Sequence, residues 1–436
     1  MRALSICAAA ITALTLASAA LADAPTPAAR YDSVIANLKA AGIATTLADI
    51  YPASAPDDQN AAPLYAKMAS STADQSENDA LAVLGASPTD SDWAKAQAFV
   101  DGNAKLIDLV HKAAAMPDCV VPGRANAPDP AAILFPEFAP MRRAVRILAV
   151  ESAVEAHDGH GVDAVENAVL GFKIADQAYQ EPNLIGWLVG VACDAVTVRN
   201  IEHIMTMNSG DPAVLSAAST TLSAWRPHKL FAAFSGETAF AAVEIASMQK
   251  SDYHALVDLA SGEESDVPPS LRTAAHNPAA WRDFVDENGV TLLGYYKNII
   301  DAADDPYPAS SKELQAIDNE IGSAKGDQYT LTRIMCPAFT KVVDKQAQIE
   351  ATVDVAQACA ALLAYRDANG SYPGSLSQAM PTVPVDPFDG QAIGYRPDGQ
   401  GFVLYSAGSK GQYAGGSDST GQTVLRVSGD GFPAWK

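Results

Sequence analysis

Between residues 141 and 198 the apolar positions recur at intervals of three and four. Met141, Val145 and Leu148 share one helical face. After the polar break His157-Asp158-Gly159-His160-Gly161, the residues Val165, Ala168, Phe172, Ala175 and Tyr179 form a second stripe. Leu184, Trp187, Leu188, Val191, Ala195 and Val198 form a third, entered through Glu181-Pro182-Asn183. Each stripe needs a facing surface, so helices joined by such short turns pack as antiparallel hairpins. Proline clusters from Pro117 to Pro140, at Pro268-Pro269, and at Pro306 and Pro308 mark boundaries between helical layers. No pattern recurs at a fixed period, which predicts an irregular helical array and not a repeat protein.

The pattern changes near the C-terminus. A long helix is predicted from Val342 to about Ala368, with Gly370 as its stop. Residues 371–436 are rich in Gly, Ser, Pro and Asp, and Ile393-Gly394-Tyr395-Arg396, Phe402-Val403-Leu404-Tyr405 and Thr423-Val424-Leu425-Arg426-Val427 read as strands. A Pro397-Asp398-Gly399 turn separates the first two. The expected fold is therefore mainly α: an irregular antiparallel helical array followed by a small α+β module with a short antiparallel sheet. Its expected divisions are 1–22, a helical domain over 23–341 with a subdivision near 117–135, and 342–436, the long helix with the β module.

Residues 1–22 read as a cleavable secretory signal: an early Arg2, an apolar stretch from Ile11 to Leu21, and small residues Ala20 and Ala22 before Asp23. No later stretch reaches the ~20 uninterrupted apolar residues of a membrane span. The expected location is periplasmic or extracellular, with no transmembrane segment in the mature chain. The formal net charge is −22, and loss of Arg2 makes the mature chain more acidic still. Such a surface repels phosphate backbones and anionic headgroups, which argues against nucleic-acid or membrane-surface binding. Cys119, Cys193, Cys336 and Cys359 remain after cleavage. In an oxidising compartment four cysteines permit two disulfides, but the spacing selects none of the three pairings.

Catalytic signatures are absent: no GxSxG, HExxH, Walker A or dinucleotide fingerprint occurs. Ser247-Met248-Gln249-Lys250 matches Ser-x-x-Lys but lacks the partner motifs of that chemistry. Glu237 and Glu244 sit seven apart in an otherwise apolar helix, where a carboxylate with raised pKa suits general acid work. Buried charges are normally paired, so a structural role opposite Arg142, Arg143 or Arg146 competes with the catalytic one. Those three arginines form the compact basic group of the acidic chain, a candidate binding site for an acidic partner or anionic ligand. His157, Asp158 and His160 are metal-ligating residue types, but they lie in a glycine-rich turn where such residues cap helix ends, and no third histidine lies near in sequence.

The C-terminal run Tyr372-Pro373, Asp386-Pro387-Phe388, Tyr395, Ser406-Ala407-Gly408 and Gly415-Gly416 resembles, in order, the globular domain of the type II secretion major pseudopilin. Asp386 caps a turn that Pro387 stiffens. The resemblance implies a calcium loop; here Ser409-Lys410 stand where an acidic residue is usual, leaving Asp418 as the nearby carboxylate. Calcium is thus the one cofactor in view. The family's prepilin leader and N-terminal hydrophobic helix are missing, so polymerisation is not expected. The body is similar to uncharacterised secreted helical bacterial proteins, through Asn60 to Tyr65, Asn103 to Ile107 and Leu184 to Cys193.

These features lead to the expectation of a secreted or periplasmic non-enzymatic scaffold that binds a protein partner. Two alternatives stand beside it: a cell-envelope hydrolase using the helix carboxylates Glu237 and Glu244, and an accessory component of a type II secretion system.

Overall fold

The computed structural model describes residues 25–52, 54–70, 73–85, 87–127, 130–251, 277–336, 338–410, 423–427 and 433–435. The signal at 1–22, Pro268-Pro269, Gly415-Gly416 and Asp418 lie outside them. The described helices of eight or more residues are α1 (Pro27–Ala40), α2 (Ala62–Ala69), α3 (Asp90–Gly102), α4 (Ala104–Ala115), α5 (Phe138–His157), α6 (Gly161–Ala168), α7 (Leu170–Tyr179), α8 (Leu184–Met207), α9 (Pro212–Ala224), α10 (Phe231–Met248), α11 (Pro278–Ala303), α12 (Tyr307–Ser323) and α13 (Thr340–Asn369). The fold is mainly α, a helical array followed by a small antiparallel sheet.

Helix starts follow local chemistry. The side chains of Thr26, Asn183, Asp211 and Asn277 each accept a backbone N–H in the first turn of α1, α8, α9 and α11. At the far end Gly370 takes the left-handed conformation (φ +77°) that closes α13. The second apolar stripe, expected as one helix, divides at Val169 into α6 and α7. The reset lets α7 lie directly on α8: a Cβ at Gly171 would stand 2.1 Å from the Thr197 hydroxyl.

Helix α8 is apolar on nearly every side, which a helix sustains when it is covered on nearly every side. Three apolar cores meet on it. Leu184, Trp187 and Val191 join the core of α1, α10, α11 and α12. Val189 and Cys193 enter a second core, with α2 to α5 and α7. Val198, Ile201, Ile204 and Met205 enter a third, shared with α9, α13 and the sheet. By length and composition α8 is also long and apolar enough to cross a membrane, but 67% of its most apolar window is buried inside the fold.

The sheet is a four-stranded antiparallel meander, β1 (Gly394–Asp398), β2 (Gly401–Tyr405), β3 (Val424–Val427) and β4 (Pro433–Trp435), in sequential order. The fourth strand was not expected. The β1–β2 register pairs Asp398 with Gly401, so the turn falls on Gly399 (φ +61°) and Gln400, two residues later than the Pro397-Asp398-Gly399 reading. Asp386 is fully buried and its carboxylate accepts the N–H of Phe388 (3.0 Å) and of Ala407 (2.5 Å), which joins the Pro387 turn to the end of β2. Phe402, Leu404, Leu425 and Val427 pack with Val355, Leu362 and Leu363 of α13 in the core that also holds Ile201, Ile204, Leu215 and Leu222. The module therefore shares its interior with the helical body. The four cysteines among the described residues, Cys119, Cys193, Cys336 and Cys359, are free thiols. Cys193 lies in one core and Cys359 in another, while Cys119 and Cys336 pack against separate cores.

Candidate functional site

The linker from Glu181 to Leu184, between α7 and α8, is held by a buried polar centre. Asn183 caps α8 through Gly186 N–H (2.8 Å) and donates its amide to Glu181 Oε1 (3.0 Å). Tyr51 donates its hydroxyl to the same oxygen. Glu181 Oε2 takes Arg124 Nη1 at 2.5 Å, and Arg124 Nη2 reaches Glu137 at 2.9 Å and the Leu134 carbonyl at 2.6 Å. The ring of Phe135 lies under this guanidinium, 4.6 Å from its carbon. Arg124 Nε alone of its nitrogens is buried without a partner. Arg124 is 5% exposed and Glu181 8%, so these ions are held by one another, by the donors Tyr51 and Asn183, and by the acceptors Leu134 and Glu137.

Glu237, the carboxylate singled out from sequence, belongs to the same linker. It accepts the Leu184 N–H at 2.8 Å, one of the orphan donors at the start of α8. Its neighbour Gly236 presses on the linker backbone: a Cβ there would fall 1.4 Å from the Pro182 carbonyl oxygen. Burial raises the Glu237 pKa, opposed by the Leu184 bond. Glu237 borders none of the cavities described here. Glu244, two turns on, is half-buried and engaged within the fold. The arginines expected opposite these carboxylates are elsewhere.

A pocket of about 270 Å³ opens beside the centre, bordered by Tyr51, Cys119, Arg124 and Glu181. Burial lifts the Glu181 carboxyl to about 7, against the pull of Arg124 and the Tyr51 hydroxyl. Burial also pushes the Cys119 thiol up to about 12, so it is a protonated, poorly nucleophilic thiol at neutral pH. A second raised carboxylate, Asp194 on α8, accepts Tyr179 Oη (2.9 Å) and Trp225 Nε1 (3.3 Å), and its burial lifts it to about 7.

The basic group of the sequence divides in two. Arg143 grips Glu77 through Nε and Nη2, with the shortest contact at 2.7 Å. That pair fixes the short helix Gln75–Ala80, which runs into the turn Leu81–Leu84. Arg146, one turn from exposed Arg142, instead borders an open cleft of about 430 Å³ between this turn, α5 and α8. From α8 come Arg199, Asn200 and His203, spaced so that they share one helical face with Val196. Trp93 of α3 stacks on His157 (4.2 Å between centroids) and on His203 (6.5 Å). Burial depresses His203 to about 4, so it stays neutral and the arginines carry the positive charge of the cleft.

His157 pairs with Asp158 at 3.4 Å and is otherwise the outer plate of the Trp93 stack. No group of His, Cys, Asp and Glu among the described residues has the arrangement of a metal site; Asp418, the calcium candidate, falls outside them. Sequence reading missed Arg124, Glu181, Arg199 and Asn200. Glu181 was visible only as part of a helix entry, and nothing in its spacing signals partners 57 and 130 residues away.

No protein-family model matches the chain, and no curated protein and no solved structure matches it.

Proposed function

We propose that this chain is an exported, non-enzymatic scaffold that recognises a protein partner, with the cleft at Arg146 as its recognition site and the C-terminal module as a second surface. The observation that carries this reading is the contrast in how polar groups are used. Glu237, the carboxylate singled out from sequence, and Glu181, whose carboxyl is raised by burial, are committed to holding the α7–α8 linker. Arg146 is exposed and makes no ion pair with a described carboxylate.

A hydrolase is the second reading, moved from Glu237 to Glu181. A carboxyl near 7 beside a pocket of about 270 Å³ is the observation that favours it. The resemblance of the module to the major pseudopilin adds a specific form of the first reading, in which the partner is a component of a type II secretion system.

One comparison tests these readings. The full exported chain and its Arg146→Glu variant are used as baits on native envelope, and both are screened against ester, amide and glycoside substrates. The scaffold reading expects a partner lost with the variant and no turnover. Turnover that disappears in Glu181→Gln establishes the hydrolase, and a captured pseudopilin establishes the secretion-system form.

A further inference from the structure

The chemistry of the cleft between α5, α8 and the Leu81–Leu84 turn defines its ligand more narrowly than a charge does. Its polar wall holds Arg146 and Arg199, with Asn200 between the helices. Arg199 is also engaged within the fold, so Arg146 is the cation most available to an incoming group. Two guanidinium side chains suit a carboxylate, which accepts their N–H groups in a planar, charge-assisted pair.

Asn200 supplies a second requirement. It is 4% exposed, borders the cleft, and its Oδ1 is buried with no hydrogen-bond partner. An unmet buried acceptor destabilises the fold until a donor reaches it. A turn of this amide toward the cleft presents Oδ1 to an N–H on the ligand, close to the ligand's anionic group. The third requirement is apolar: Leu81, Leu84, Ala149 and Val196 line the cleft, beside Gly85 and the neutral imidazole of His203. A volume of about 430 Å³ falls within the ~300–1,000 Å³ of small-ligand sites.

A carboxylate, an N–H one residue away and an apolar side chain coincide at the C-terminal end of a peptide. We infer that the cleft binds the free C-terminus of a peptide or protein whose last residue is apolar. The carboxylate sits on Arg146 and Arg199, the last backbone N–H on Asn200, and the last side chain on the leucine-rich wall. This rests on the scaffold reading and names the part of the partner that is recognised. The strongly acidic remainder of the chain repels anionic ligands at long range, but its field is screened beyond ~8 Å at physiological salt. An uncharged peptide body with a single terminal carboxylate escapes most of that repulsion.

The test uses the full exported chain, isothermal titration calorimetry at physiological ionic strength, and N-acetyl-Ala-Ala-Leu as probe, with its C-terminal amide and inorganic phosphate as controls. The free acid is expected to bind. The amide, Arg146→Ala and acetyl-Ala-Ala-Ser are each expected to bind about tenfold or more weakly. Asn200→Ala is expected to weaken the free acid but to leave phosphate unaffected. Arg146→Ala stays folded on its exposed site, and thermal melting verifies it. No binding of the free acid, equal binding of acid and amide, or phosphate competing at equal affinity overturns the inference and leaves the scaffold reading standing. Peptide recovered cleaved after titration overturns the scaffold reading itself.

Discussion

The linker centre at Glu181 and the cleft at Arg146 are both arginine sites on the same helical array, and they differ in what surrounds the charge. Arg124 is buried between two carboxylates, a carbonyl and an aromatic face. Its charge is neutralised from within and ties Tyr51, residues 134–137 and the entry to α8 to one another. Arg146 is an exposed side chain on the otherwise largely buried α5, and the cleft it borders has apolar walls and an unpartnered amide oxygen. A charge enclosed by its own protein is architecture; one left facing a cavity is offered to something else.

The largest expected effect lies at the enclosed site. Arg124→Ala leaves Glu137 and Glu181 buried together without a cation, and is expected to cost roughly 3–5 kcal/mol in denaturant unfolding. A change under about 1 kcal/mol would make the network dispensable and erase the contrast with the cleft.

Asp194 sharpens the comparison through pH. Its folded pKa, about 7, lies above its ordinary value of 3.8, so between those limits the native state holds a proton that the unfolded chain has released. Stability from this group is complete below about pH 4 and is lost as pH rises through 7. The loss is at most roughly 4 kcal/mol. Melting temperature is expected to fall from pH 5 to pH 8, and to fall less in Asp194→Asn. An unchanged slope in that variant would place the titration elsewhere.

Glu237→Ala removes the acceptor of the Leu184 N–H, and roughly 1–3 kcal/mol of destabilisation is expected. Glu237→Gln keeps an acceptor and is expected to recover most of it, which separates a helix-start contact from catalysis. Arg146→Ala is the smallest in stability, expected within about 0.5 kcal/mol of wild type. A large loss there would mean that Arg146 is structural, like Arg124.

The helices and their ends were readable because the forces that set them are local. The helix carrying the stripe from Leu184 to Val198, its entry through Asn183 and the Gly370 stop are found where spacing put them, although Leu188 of the stripe is exposed. The break at Val169 was not legible, since it answers to the contact of Gly171 with Thr197, 26 residues on. Strand β4 was hidden for a related reason: three residues make no period, and pairing with β3 gives them their conformation.

Chemistry was less legible than fold. Counting charge marked Glu237 as unusual in its apolar helix, but its partner is a backbone N–H that no charge pattern reveals. The Arg142, Arg143 and Arg146 group was a single feature in sequence. Helical geometry and the position of Glu77 turned Arg143 to the fold and left Arg146 at the cleft.

The sequence by itself determined the mainly helical class, the start of α8 and the end of α13, the C-terminal change to strands and the net acidity of the chain. These depend on residues within a few turns of one another or on composition alone. Only the tertiary structure decided which charges are enclosed, that Glu181 is the centre to which Glu237 is ancillary, and that Arg146, Arg199 and Asn200 share a cleft. Those outcomes require segments far apart in the chain to meet, and burial, which sets the worth of a charge, exists only once they have.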